Sequence, residues 1–150
     1  MNLQTDAIGS FEQALPILRE VNDRAFEGQA LLSLGLVFIN QGKTDKAIEN
    51  TESAVVIFHE VKNSFSEGQA RINLGVIYSR IGEPEKAIST LEPALTIYRE
   101  SKNRIQESAA VNTMGVIYGG MGETEKAIEY FSRSLAIARE LKDQIREATA

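Results

Sequence analysis

The sequence contains no cysteine. That absence removes disulfides, thiolate metal sites and thiol nucleophiles together. It contains a single histidine, His59, and one histidine without cysteine does not make an ordinary zinc site. No apolar run approaches the about 20 residues that a membrane helix needs. The opening Met1-Asn2-Leu3-Gln4-Thr5-Asp6 lacks a basic segment followed by an apolar core, so it does not read as a secretory signal. Positive charge is also short: the formal net charge is -5, which argues against a general binder of phosphate backbones. The expectation is a cytoplasmic protein with no cofactor, no metal, no membrane contact and no nucleic-acid partner.

What the chain does contain is a register. The stretch Gly82-Glu83-Pro84-Glu85-Lys86-Ala87-Ile88 is followed by Leu91 and Ala94. Forty positions earlier stand Gly42, Lys46, Ala47, Ile48 and Ala54, and forty later Gly122, Lys126, Ala127, Ile128, Phe131 and Ser134. Asn2, Ala7, Ile8, Phe11 and Ala14 echo the same frame once more.

Within each period two helical patterns alternate. Apolar residues at Ala7, Ile8, Phe11, Ala14, Leu15, Leu18 and Val21 share one helical face. A second face follows at Ala25, Ala30, Leu31, Leu34, Val37 and Phe38. With the second type named A and the first B, A helices are expected near 24–41, 64–81 and 104–121, and B helices near 3–22, 43–62, 83–102 and 123–142. The expected stops are Asn22-Asp23, Lys62-Asn63, Lys102-Asn103 and Lys142-Asp143 after B, and Gly42, Gly82 and Gly122 after A. Asn2 stands in the place of these glycines before the first helix. Asp45, Glu85 and Glu125 then meet the positive end of the next helix dipole, and Pro84 suits a first turn.

Small residues recur at Gly35, Gly75 and Gly115 and at Ala47, Ala87 and Ala127, where a neighbouring helix backbone is expected to approach. Pro16 and Pro93 fall inside B helices, and because the apolar register runs through both, a kink is expected at each rather than a break. The domain reading is one array: an unpaired B helix at 3–22, three repeats at 24–62, 64–102 and 104–142, and the opening of a truncated A helix at 143–150. Such an array reads as a piece of a longer one, with open ends that favour dimers or end-to-end stacks.

The repeat resembles the tetratricopeptide family. The carrying residues are Leu34-Gly35, Phe38, Ala47 and Ala54; Leu74-Gly75, Tyr78, Ala87, Leu91 and Ala94; and Met114-Gly115, Tyr118, Ala127, Phe131 and Ser134. The sequence departs from the family pattern at its early aromatic, where Leu31, Arg71 and Val111 stand. Its period of 40 exceeds the usual ~34. In this it is similar to the long-repeat subgroup of kinesin light chains, Pins-type adaptors and bacterial multidomain regulators. The resemblance implies an all-α, right-handed superhelical solenoid of antiparallel helix pairs that binds protein or peptide and is not an enzyme.

The same resemblance implies a concave groove lined by A helices. Its candidate ligand-contacting residues are Gln29, Leu36, Asn40, Gln69, Asn73, Val76, Arg80, Asn112, Thr113 and Val116. Leu32, Ser33, Ile39 and Ile72 are further groove positions. Asparagine offers a donor and an acceptor to an extended main chain, and Arg80 could grip a carboxylate with two donors. A two-carboxylate clamp is not implied: Asn73 matches one of its positions, but Leu32, Leu36, Ala109 and Thr113 stand at the other four.

Other chemistries find no support. His59 replaces Arg19, Arg99 and Arg139 in the register and reads as solvent-facing. Glu20, Glu60, Glu100 and Glu140 repeat, which suits pairing between helices rather than a single catalytic site. Gly119-Gly120-Met121-Gly122 follows a helix and lacks the lysine of a phosphate loop. Cations at B-helix ends fit the helix dipole. Two functions remain: a scaffold that binds a peptide or partner protein in the groove, or a self-associating structural module within a larger multidomain regulator.

Overall fold

Among the described residues, seven helices follow one another with three residues between each pair: α1 (Leu3–Glu20), α2 (Arg24–Asn40), α3 (Thr44–Glu60), α4 (Ser64–Arg80), α5 (Pro84–Glu100), α6 (Arg104–Gly120) and α7 (Thr124–Ala148). The structure, a computed structural model, describes the backbone of residues 3–148 and the side chains of 7–142. Asn2 and positions 149–150 of the expected last helix lie outside the described residues. Helices α2, α4 and α6 are the A type; α1, α3, α5 and α7 are the B type. α1 and α5 run unbroken through Pro16 and Pro93.

The turns use two chemistries. After A helices, Gly42, Gly82 and Gly122 adopt φ of 70°, 79° and 79°, the left-handed conformation that costs glycine least. After B helices the left-handed residues are Asn22, Lys62 and Lys102, at 55°, 57° and 54°. Asp23, Asn63 and Asn103, expected as part of the stop, instead cap the following helix. Their side chains accept from the backbone N–H of Phe26, Ser66 and Gln106 at 3.2, 3.1 and 3.2 Å. In both turn types the chain folds back with a six-to-one bond, such as Asn63 N–H to the Phe58 carbonyl at 2.9 Å.

One expected stop does not form. α7 continues through Lys142 and Asp143 as a single helix to Ala148. The run from Glu140 to Ala148 is rich in strong helix formers. Local propensity therefore prevails over the turn that packing stabilises elsewhere.

Small residues set the distance between paired helices. A Cβ on Gly35 would lie 2.2 Å from Thr51 Oγ1, on Gly75 2.8 Å from Leu91 Cγ, and on Gly115 2.8 Å from Phe131 Cδ1. The space is thus filled first by a B-helix side chain, with the Ala47 and Ala87 carbonyls next at 3.2 Å. In a second row, a Cβ added to Gly28 would lie 2.9 Å from the Phe58 ring and one added to Gly68 would lie 2.6 Å from the Tyr98 ring. In the third repeat Ser108 stands where the glycine was and Ala138 where the ring was, and Ser108 Oγ meets Ser134 Oγ at 3.0 Å. Tyr98 is fully buried, and its hydroxyl donates to the Phe65 carbonyl at 3.0 Å. Burial pushes its pKa up to about 12.

The repeated lysine has a partner too. Lys46, Lys86 and Lys126 lie over the rings of Phe38, Tyr78 and Tyr118 at 5.4, 5.5 and 5.3 Å, a contact worth about 0.5–1 kcal/mol where exposed. α2 touches α4 and α4 touches α6, whereas no described B helix touches another. The A helices therefore crowd the inner side of the stack and the B helices splay on the outer side.

Gly75→Leu or Ala87→Leu is expected to overpack this interface and to cost about 1–3 kcal/mol. Gly9, where nothing lies within 4 Å of an added Cβ, is the control: Gly9→Ala is expected to hold or raise stability. Thermal unfolding by circular dichroism measures all three; unchanged melting in the first two removes the packing assignment.

Candidate functional site

The inner side carries a shallow depression of about 100 Å³ between α2 and α4, lined by Leu36, Ile39, Asn40, Asn73, Val76, Ile77 and Arg80. Leu36, Asn40, Asn73, Val76 and Arg80 were expected as ligand contacts, and the fold brings them together. The helical period places them here: Leu36 and Asn40, like Asn73, Val76 and Arg80, are spaced by three or four residues.

The polar groups in this depression are uncommitted. Among the described residues the side chains of Asn40, Asn73 and Arg80 make no hydrogen bond or ion pair. The same holds for Gln29, Gln69 and Asn112. Asn73 is half-buried, so an open amide sits beside an apolar floor. Gln29 and Gln69 lie nearer the N-terminal ends of their helices. Asn112, Thr113 and Val116 lie on α6, outside the depression. Val116 is 56% exposed, as a surface contact requires. The Thr113 hydroxyl donates to the Ala109 carbonyl at 2.9 Å within its own helix, which leaves it less free for a ligand. Leu32, an expected groove position, is buried at 3% exposure and faces the core.

Sequence reasoning missed three buried carboxylates. Glu27, Glu67 and Glu107 are 3%, 7% and 5% exposed, one at the start of each A helix. Each takes a partner from the end of the preceding B helix. Arg19 Nε donates to Glu27 Oε1 at 2.7 Å and Arg99 Nε to Glu107 Oε1 at 3.1 Å. His59 Nδ1 lies 3.1 Å from Glu67 Oε2. These ties give Arg19 and Arg99 at B-helix ends a specific partner beyond the dipole. His59 does face solvent, with its side chain 75% exposed, but it is paired. The signal was present as glutamates at the same period, each eight residues after its partner.

Arg24 and Arg104 extend the ties. Arg24 gives one amino group to Glu27 and the other to Glu60, both at 2.5 Å. Arg104 does the same with Glu107 and Glu140, again at 2.5 Å. Burial pushes the Glu27 carboxyl up, but the bonds from Arg19 and Arg24 outweigh it and hold the group below its ordinary value.

Among the described residues no three histidines, cysteines or carboxylates gather as a metal site, and no helix is long and apolar enough to cross a membrane. Outside the groove, α7 presents Ile128, Phe131 and Leu135 at 59%, 40% and 51% exposure. Their counterparts Leu91 and Leu95 on α5 are 0% and 6% exposed, because α6 covers them.

The family profile described as Tetratricopeptide repeat matches residues 26–100 and again 66–140. No curated protein sequence matches. Several solved structures share the fold. BtubC (BKLC) from P. vanneervenii has a TM-score of 0.84 at 20% identity, over 93% of this chain and 58% of that one. Nearly identical kinesin-light-chain-type repeats from Podosopora anserina give 0.75 at 19%, over 92% and 68%. A Rap protein complexed with Competence and Sporulation Factor gives 0.76 at 21%, over 89% and 38%. The chain thus spans little more than half of the first of these and about two fifths of the last.

A folded carboxyl held low contributes stability that is present above the ordinary carboxylate range and is lost as pH falls through the lowered value. Arg24→Ala removes one of the two donors to Glu27. Acid unfolding followed by circular dichroism is expected to begin at higher pH in that variant than in the parent. Superimposable acid transitions would show that the Arg24 tie does not lower Glu27.

Proposed function

The chain belongs to the tetratricopeptide repeat family, and on that premise we propose that it is a protein-interaction module that captures an extended peptide or partner segment on its inner A-helix face. The observation that carries this reading is the open polar trio Asn40, Asn73 and Arg80 around the apolar floor of Leu36, Ile39, Val76 and Ile77. An extended chain has unpaired N–H and C=O groups, and carboxamides supply both complements. The floor takes an apolar side chain next to the main chain held by Asn73. Arg80 takes a carboxylate with its fork. Val116 and Asn112 continue the same face onto α6. The Rap protein that shares the fold is complexed with a factor of its own, which favours a binding role for this chain as well.

Selection of peptides from a random library on the purified chain tests the groove. Sequences pairing an apolar residue with an acidic one are expected to enrich. Asn73→Ala combined with Asn112→Ala is expected to weaken them about 10-fold, two hydrogen bonds of roughly 0.5–1.5 kcal/mol each. Retained binding in the double variant would place the ligand elsewhere.

A second reading rests on α7. Its exposed Ile128, Phe131 and Leu135 fit a second copy of the chain, as a self-associating module of a larger regulator. Exposed Glu125 and Arg139 stand at opposite ends of that stripe, so antiparallel copies would pair them. Light scattering is expected to give a dimer for the parent and a monomer for Leu135→Lys. A monomeric parent at high concentration would reject this reading.

A further inference from the structure

The depression between α2 and α4 is ordered along its length. Asn73 stands at one end; Val76 follows it on α4, and Arg80 closes the row. With about 1.5 Å of rise per residue, the two steps span roughly 4.5 and 6 Å. Leu36 and Asn40 run in the same order on α2. The furrow therefore presents a carboxamide, then an apolar floor, then a guanidinium beside a second carboxamide.

The polar reach of the inner face is concentrated here. In the flanking repeats the residues that match Asn73 are Ser33 and Thr113. Their hydroxyls donate within their own helices, to the Gln29 and Ala109 carbonyls, each at 2.9 Å. Asn73 makes no such bond. Arg80 is the one cation that lines the depression, and no carboxylate lines it. An apolar floor thus ends at a positive charge that the chain itself does not match.

Resting on the groove reading, we propose that the ligand is an extended segment with an aliphatic and an acidic side chain separated by one residue, and that Arg80 determines this spacing. In an extended chain neighbouring side chains point to opposite faces, whereas alternate ones share a face, roughly 6.6 Å apart. That length matches the roughly 6 Å from Val76 to Arg80. Adjacent residues cannot meet the floor and the guanidinium together. The depression measures about 100 Å³, less than the roughly 150 Å³ that takes up a benzene ring, so it selects an aliphatic side chain over an aromatic one. Asn73, one turn before Val76, meets the N–H and C=O of the flanking main chain with its two ends. No side chain beyond Asn40 and Arg80 lines the depression. The segment therefore runs on past Arg80, and the carboxylate it offers is that of a side chain.

The probes are labelled serine peptides, blocked at both ends, that carry one leucine and one glutamate. The two are adjacent, one apart or two apart, in both chain orders, and binding is read by fluorescence anisotropy. The one-apart peptide in its better order is expected to bind roughly fivefold tighter or more than the other spacings. Tryptophan in place of its leucine is expected to weaken it. Arg80→Glu lies at an exposed helix end and is expected to keep the parent circular dichroism. It is expected to lose the preference for glutamate and to gain one for lysine at the same spacing. Equal affinity across spacings, tighter binding of the tryptophan form, or an unaltered ranking in Arg80→Glu would each overturn the proposal. So would tighter binding of a peptide that ends at the spacer with a free carboxylate. All four leave the groove reading standing, whereas no binding by any peptide, together with no enrichment from the random library, overturns both.

Discussion

Everything in this molecule depends on how closely an A helix can approach its B partner. The approach is set by pairing absent side chains with large ones. Gly68 leaves room for the Tyr98 ring and Gly75 for Leu91, each closer than a Cβ would allow. Protein interiors tolerate neither a void nor an extra methylene at such contacts, so the interhelical distance is defined rather than adjustable. Because A helices also touch one another and B helices do not, each repeat adds the same bias toward an inner face. The depression under Asn73 exists because of that bias, since α2 and α4 meet with Ile39 and Ile77 between them.

Turn chemistry then keeps the repeats in phase. Every connection is three residues long, and each reverses through one left-handed residue. Glycine fills that place after A helices, whereas Lys62 and Lys102 fill it after two of the B helices. A lysine in that conformation carries roughly 1–2 kcal/mol of strain. The cap that Asn63 or Asn103 places on the next helix works in the opposite direction by about 1 kcal/mol. The turn after a B helix is therefore stable only when a capped, packed A helix follows. In α7 the helix instead continues through Lys142 to Ala148.

Much of this was legible because the repeat is itself a set of aligned copies. Periodic apolar faces located all seven helices, and the recurring Gly42, Gly82 and Gly122 located three of the turns. What escaped the sequence was whatever depends on contacts between helices. Glu27, Glu67 and Glu107 went unnoticed, since nothing local says that the preceding B helix encloses them. Asp23, Asn63 and Asn103 have two roles open to them, left-handed stop or cap, and only the backbone geometry separates the two. Leu32 looked available because the groove positions were carried over by register, and a register does not reveal which side of a helix a neighbour covers. The end of α7 was misread for a similar reason: a stop signal of the Lys-Asn type is conditional on tertiary packing.

A repeat array is informative where it departs from its own rule, and the departures here gather on α4. Ser64 replaces an arginine found at positions 24 and 104. Arg71 replaces leucine and valine. Asn73 replaces Ser33 and Thr113, and Arg80 replaces Asn40 and Gly120. Three of these changes lie away from the helix pairing, where Gly68, Gly75, Leu74 and Ile77 of the same helix keep the packing positions, whereas Arg71 replaces residues that are buried in the outer repeats. At positions 64, 73 and 80 the exchange of charge and hydrogen-bonding capacity alters what the surface can hold. Arg71 answers the change at Ser64 and keeps Glu67 neutralised. The outer copies, α2 and α6, supply framework: their ties are extended by Arg24 and Arg104 and brace the stack on either side. The physical consequence is a scaffold whose middle helix can vary in chemistry without varying in position, since its neighbours hold it on both sides.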